Sequence, residues 1–463
     1  MATKLVSQQD ETPRNTRVWL VASCLVVFIM AAILRVGFAQ EVLSQHADLS
    51  ASMQAASKTY GFMAGDSPSY LRPADRIAAG DLLHAGSLKR PPGYPLFLWL
   101  CGRSPNMILI VQALLGSLIP VSTLLLSHHL LRNLPLSIVA GLVSAVSPTG
   151  IGVTGLILAD LLLAVLFVGG LWVLSQGATR QGIGWALVPA LLFGIAGLVK
   201  PVLLFWPVLS AMVWWLFRRA ERRRVSWTPF LVLVLVQASF FVAWASCNQV
   251  RDNVFTVSEV GLHTARCYWA TRVEEWARAG HKPSGETIKR NRAAVIRRLD
   301  ESPPPERIRA YKEESIRIFK TYPTLTITVF LHNIGELSVQ GWNQFGSQVP
   351  LDSTLRSRLK RLSRVESVAR KYGRWLIVPG FGLMFVVALV WRTPENRRIC
   401  LGICGFLVAY LYVTLCAGIT IWTGTRIVYA IEAVAIVIVA AEVDLLIRAG
   451  SSWRRSRTGA VGR

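Results

Sequence analysis

A chain cannot leave backbone amides and carbonyls unpaired in hydrocarbon, so repeated apolar runs of about 20 residues commit it to membrane helices or a closed barrel. This sequence of 463 residues carries such runs near 18–38, 106–131, 136–150, 154–175, 183–199, 201–217, 227–246, 375–391, 399–421 and 425–447. They amount to roughly ten helices. Hydrophobic residues make up 52% of the chain and charged residues only 16%, and the charges fall in clusters between the runs. The expected fold class is an all-α polytopic membrane protein, a bundle of about ten transmembrane helices.

A net charge of +24 raises the question of nucleic acid, but the placement of the arginines argues for topology instead. Arg14 and Arg17 precede the first run. Arg218, Arg219, Arg222, Arg223 and Arg224 fill one short connection, and Arg392, Arg397 and Arg398 another. Arg454, Arg455 and Arg457 crowd the C-terminal tail. If the runs alternate across the membrane, all of these face one side, which the positive-inside rule assigns to the cytoplasm. The layout that follows is a cytoplasmic tail over 1–17 and a transmembrane module over 18–246 with an outer loop at 39–105. After it come a large outward segment over 247–374, C-terminal transmembrane helices over 375–447 and a basic cytoplasmic tail over 448–463.

Two stretches test that layout. Residues 356–374 are strongly basic yet fall outside, which long loops tolerate because they weigh little in the charge rule. The segment 323–342 could span and turn the C-terminus outward, but His332, Asn333 and Glu336 would be expensive in lipid. An interfacial or partly re-entrant helix is the favoured reading there. Arg35, near the outer end of the first run, reads either as a snorkelling side chain or as part of an outer cavity. The run itself is too long for a cleaved signal. Cys247 and Cys267 share the outward segment, where an oxidising compartment would permit a bridge, while no cysteines have zinc-ligand spacing.

The outer loop holds the residues with chemical promise. GDSPSYL places Asp66 and Tyr70 four apart, on one side of a helix running through DSPSYLRPADRIAAG. Asp66 could simply cap that helix, with Pro68 in its first turn. The next cluster, KRPPGYP, holds Arg90 and Tyr94 in a turn that Pro91 and Pro92 keep from being helical. Tyr70 and Tyr94 also suit an interfacial aromatic belt. Further on, GETIKRNRAAVIRRLDESPPPERIRAYKEESIRIFKTYP reads as two amphipathic helices broken at Pro303–Pro305, with arginines suited to lipid phosphates or an anionic glycan. No phosphate loop, HExxH, GxSxG or dinucleotide turn is present, and no internal repeat of transporter type stands out.

GDSPSYL followed by RPPGYPLFLWL resembles the first outer loop of GT-C glycosyltransferases, such as the protein O-mannosyltransferases and the lipid A aminoarabinose transferase. Other stretches resemble the family in the same order. SPTGIGVTGLILADLL carries Asp160 where Glu is more usual, and GLVKPVLLFWP carries Lys200 in place of the commoner Arg. FVAWASCNQVRDNVFTVSEVGLH is similar to a W-x-x-x-N stretch with a Ser-rich turn. TGTRIVYAIEAVAIVIVAA carries Arg426 and Glu432 but lacks the usual prolines. The resemblance implies transfer of a sugar from a polyprenyl-phosphate carrier to an acceptor on the outer face of the cytoplasmic membrane, with inversion. Asp66 would be the catalytic base. Arg90, Lys200 and Arg426 would bind the donor phosphate, and Tyr70, Tyr94 and Asp160 would contact substrate. The acceptor could be a glycan, a lipid or a protein. No cofactor is implied with certainty; carboxylates near the site leave a divalent metal possible. Asp160 could instead cap its helix, and Lys200 could be an interfacial anchor. A transporter or flippase of lipid-linked glycans, and a polymerase or ligase with a pyrophosphate donor, are the alternative functions.

Overall fold

The computed structural model describes residues 14–44, 66–180, 182–223, 226–337, 393–419 and 424–460, together with Ser357 and Met384. Among the described residues the regular structure is entirely helical. The first half runs through α1 (Arg14–Ser44), α2 (Ser67–Ala78), α3 (Gly93–Leu100), α4 (Pro105–Gly116), α5 (Leu118–Leu131), α6 (Leu134–Ala145) and α7 (Pro148–Thr154). Next come α8 (Ala159–Thr179), α9 (Gly184–Val199), α10 (Trp206–Ala220) and α11 (Trp227–Asp252). Smaller helices follow: α12 (Val260–Thr264), α13 (Thr271–Ala279), α14 (Gly285–Asp300), α15 (Pro304–Thr321) and α16 (Pro323–Leu337). The chain closes with α17 (Pro394–Gly418) and α18 (Gly424–Ala460).

This is a membrane protein: five stretches are long and apolar enough to cross a bilayer, or six if α6 and α7 form one span across their 48° bend. The roughly ten spans expected from sequence are therefore not all present by length and composition among the described residues. The shortfall has a physical cause at α9 and α10, which have 16 and 15 residues. At 1.5 Å per residue each reaches only about 24 Å, because the Lys200–Pro201 step divides them. The runs 375–391 and 356–374 lie outside the described residues, apart from Ser357 and Met384. The run 425–447 is part of α18, which continues without a break into the expected tail.

The bend between α6 and α7 depends on Arg35. A helix end inside a bundle leaves its last carbonyls unpaired. Arg35 supplies the donors, with Nη1 donating to the Ala145 carbonyl at 3.0 Å and Nη2 to Ser144 at 3.4 Å. Ser147 then caps α7 by accepting from the Gly150 amide at 3.1 Å. Arg35 is fully buried, so neither a snorkelling position nor an outer-cavity position describes it.

Alternation of the spans is visible in which ends meet. At one end, Arg398 pairs with Glu221 and donates to the His129 carbonyl, while Arg132 also reaches Glu221. At that same end Arg448 bonds Asp444, Glu395 and the Leu131 carbonyl, and Asn133 donates to Asp444. These contacts join the α5–α6 and α10–α11 connections to the start of α17 and the later part of α18. The opposite end carries α2, α3 and the helices α12–α16.

There α14 and α15 flank Pro303, as the proline run predicts, and α16 lies against α17. One side of α16 is polar: Asn333 donates to the Gly418 carbonyl and receives Arg272, and Glu336 binds Arg272 and Lys282. The other side exposes Ile327 and Leu331. An amphipathic helix of 15 residues with this division suits an interface position. Cys247 and Cys267 are both free thiols, so the bridge considered between them is not formed. Cys267 is buried beside Leu299 and Tyr311, and burial pushes its thiol up to about 12.

Candidate active site

Asp66 does precede α2, with Pro68 in the first turn, but its side chain makes no capping bond. The carboxylate instead accepts from Arg90 Nη2 at 2.7 Å. The guanidinium is fixed at two further points: Nε donates to Ser69 Oγ at 2.8 Å, and its carbon stands 4.9 Å from the centre of the Tyr70 ring. Asp66 remains one-third exposed within this arrangement. A carboxylate is therefore held in place while still open on one side.

The turn that delivers Arg90 closes on itself, with the Ser87 amide donating to the Arg90 carbonyl at 2.7 Å and the Arg90 amide returning to Ser87 at 3.1 Å. It is clamped from α11 and the segment beyond it. Arg251 donates to the Gly86 carbonyl, and Ser258 Oγ and the Glu259 amide both donate to Leu88. Trp244 packs so closely that a Cβ on Gly86 would meet its ring at 2.8 Å. Asn248, one turn beyond Trp244, donates to the Thr256 carbonyl and accepts from Arg251. The W-x-x-x-N stretch is thus the brace of the first loop. Arg251, Ser258 and Glu259 were not singled out from the sequence; they act through backbone carbonyls, which leave no trace in residue spacing.

Gly93 opens α3 where two backbones touch. A Cβ there would lie 2.6 Å from the Val199 nitrogen and 2.7 Å from the Leu198 carbonyl carbon. This contact sets α3 against the end of α9, next to Lys200. Tyr94 follows, fully buried, donating to Gln112 Oε1 at 2.6 Å, and Gln112 in turn donates to the Leu156 carbonyl. Burial, reinforced by Tyr70 and Asp160, pushes the Tyr94 phenol well above its usual value, so it stays a neutral donor. Tyr70 meets Tyr94 edge-on at 4.9 Å and is 3% exposed. Tyr70 lies under Arg90 with Tyr94 packed against it, and neither ring is a lipid-facing belt residue.

Asp160 sits in the first turn of α8 without capping it. It accepts from Lys200 Nζ at 2.6 Å, with side-chain exposures of 3% and 16%. So near a membrane, such a charge requires a partner, and each supplies the other's. Ser67 Oγ donates to the Ile157 carbonyl at 2.8 Å, tying the Asp66 turn to the segment that leads into Asp160. The structure thus gathers Asp66, Arg90, Tyr70, Tyr94, Asp160 and Lys200 at one end of the bundle. Arg426 lies in the first turn of α18, and its side chain falls outside the described residues. Among the described residues, no three His, Cys, Asp or Glu side chains group as a metal-ligand set. His263 packs against Tyr268 and Tyr311, and His332 bonds Glu336.

Beside the Asp66–Arg90 pair opens a cavity of about 510 Å³, sharing Ser69 and Arg90 with it. Comparison with family models found no match for the chain, and comparison with curated proteins found none.

Proposed function

We propose that this protein is an integral-membrane glycosyltransferase of GT-C type. It moves a sugar from a polyprenyl-phosphate carrier to an acceptor hydroxyl on the outer face of a bacterial cytoplasmic membrane. The observation that carries the reading is the Asp66–Arg90 pair, in which a partly exposed carboxylate is freed from capping and aimed by a guanidinium. The buried Asp160–Lys200 pair at the same end of the bundle is consistent with it.

In the proposed step the acceptor oxygen attacks the anomeric carbon and forms the new glycosidic bond. Its proton passes to Asp66. The bond from the anomeric carbon to the phosphate oxygen breaks, and the electron pair leaves with the polyprenyl phosphate. Direct displacement inverts the anomeric centre. The phosphate gains one negative charge, which Arg90 and Lys200 stabilise from fixed positions in a partly dry site. Arg426 is the third cation assigned to it.

Asp66→Asn removes the base without removing the hydrogen-bond acceptor for Arg90. Membranes containing this variant, supplied with a labelled polyprenyl-phosphate sugar, are expected to insert normal amounts of protein and transfer nothing. Normal transfer would overturn the reading. Movement of the intact carrier, with its sugar–phosphate bond unbroken, would favour a flippase, and release of a polyprenyl pyrophosphate would favour a polymerase or ligase.

A further inference from the structure

The cavity beside Asp66 is walled by α2, the 84–90 turn, the end of α11, Glu259 and the start of α15. It lies among the helices outside the bundle. Its size falls within the usual range for small-ligand sites, about 300–1,000 Å³. Six basic side chains line it, Arg72, Arg76, Lys89, Arg90, Arg251 and Arg307, against two acidic ones, Asp252 and Glu259. Four of the six already face a carboxylate: Lys89 binds Asp300, Arg90 binds Asp66, Arg251 binds Asp252 and Arg307 binds Glu259. Arg72 and Arg76 are the surplus, as neither forms an ion pair among the described residues. Asp75, the acid next to Arg76 in sequence, is paired with Arg103, and Asp81, which lies within the field of Arg76, is bonded to His84.

Arg72 and Arg76 stand one turn apart on the exposed face of α2, opposite the buried Tyr70, Leu71, Ala74 and Ile77. Like charges at this spacing weaken a helix. Arg76 gains something from the helix C-terminus; Arg72 does not. Helix stability therefore does not explain the pair, whereas an anion in the cavity does. We propose that the cavity receives an acidic saccharide, and that Arg72 and Arg76 bind its carboxylate or phosphate group through paired hydrogen bonds. That this saccharide is the acceptor rests on the function proposed above. Six residues of helix separate Asp66 from Arg72, a rise of about 9 Å. The bound charge would thus sit a sugar ring or more from the hydroxyl that reacts, selecting an oligomer over a single sugar.

The test uses the full chain in a neutral detergent, with trigalacturonic acid and the uncharged maltotriose as probes. Calorimetry is expected to give saturable binding of trigalacturonic acid that weakens as salt rises from about 0.05 to 0.5 M, and no binding of maltotriose. Arg72→Ala/Arg76→Ala is expected to weaken binding by at least about tenfold, and Asp66→Asn is expected to keep it. Equal binding of the two probes, no binding of either, or unchanged binding by the double variant would overturn the proposal. Loss of binding in the arginine variant beside normal transfer by Asp66→Asn would leave this inference standing and remove the catalytic one. Unchanged binding in the arginine variant, with transfer lost in Asp66→Asn, would do the reverse.

Discussion

Arg90 reaches Asp66 across 2.7 Å although 24 residues separate them, and it does so with one arm of a guanidinium whose Nε is occupied by Ser69. A lysine would have to make both bonds from a single nitrogen and lacks the rigid fork that sets their geometry. Arg90→Lys is therefore expected to keep the charge but lose the orientation of Asp66. Steady-state kinetics should show kcat reduced by about 100-fold, with a smaller change in KM. A normal kcat would assign Arg90 a purely structural place.

Removing one member of the Asp160–Lys200 pair should leave the other charged and buried. Lys200→Met is expected to destabilise the protein by about 3–5 kcal/mol, read from thermal unfolding in detergent. Asp160→Asn/Lys200→Met should recover most of that stability. If Lys200 also serves the departing phosphate, the double variant will fold well and transfer poorly. Recovery of both properties would confine the pair to structure.

Gly93→Ala tests the contact between α3 and α9. The added methyl meets backbone atoms at 2.6–2.8 Å, and overpacking of this kind costs about 1–3 kcal/mol. Transfer should fall as well, because Arg90 and Lys200 are held on the two sides of this contact. Gly261→Ala, where a Cβ meets nothing within 4 Å, is the control and should behave as the parent does.

His263 gives the helices beyond the bundle a pH dependence. Burial first, then Lys89, Arg90 and Arg307, lower its pKa to about 4, with Asp300 opposing. The folded value lies below the unfolded value of about 6.5. Stability is then full above pH 6.5 and declines as pH falls toward 4, by up to about 3 kcal/mol. Hydrogen exchange over 260–321 at pH 7, 5.5 and 4.5 should show the loosening. His263→Gln should flatten it.

Local signals carried much of this fold into the sequence. Pro303–Pro305 marked the break between α14 and α15, Pro91–Pro92 marked the turn before α3, and the arginine clusters marked the ends that converge on Glu221 and Asp444. Asp66 and Arg90 were legible as a pair of reactive groups; that they bind each other was not. What stayed hidden depends on distant partners. The run 136–150 reads as one helix, but Ser147 and Pro148 start a new one, and Arg35, 110 residues from Ala145, pairs the carbonyls that the break leaves free. Tyr94 reads as an interfacial aromatic until Gln112 and the α9 contact bury it. Arg251 works by donating to the Leu83 and Gly86 carbonyls, acceptors that every residue carries and that no side chain marks in the sequence.

The polar contacts remote from Asp66 bear on how the molecule can move. Arg132 and Arg398 converge on Glu221, while Arg448 bridges Asp444 and Glu395, with Asn133 joining from the next connection. A carrier that exposes its cargo to each side in turn must part its helices at both ends, and here that would strip several charges of their partners in one motion. A catalyst needs only one mouth. The transfer proposed for this protein asks for no such motion, and among the described residues these contacts tie together the end of the bundle remote from Asp66.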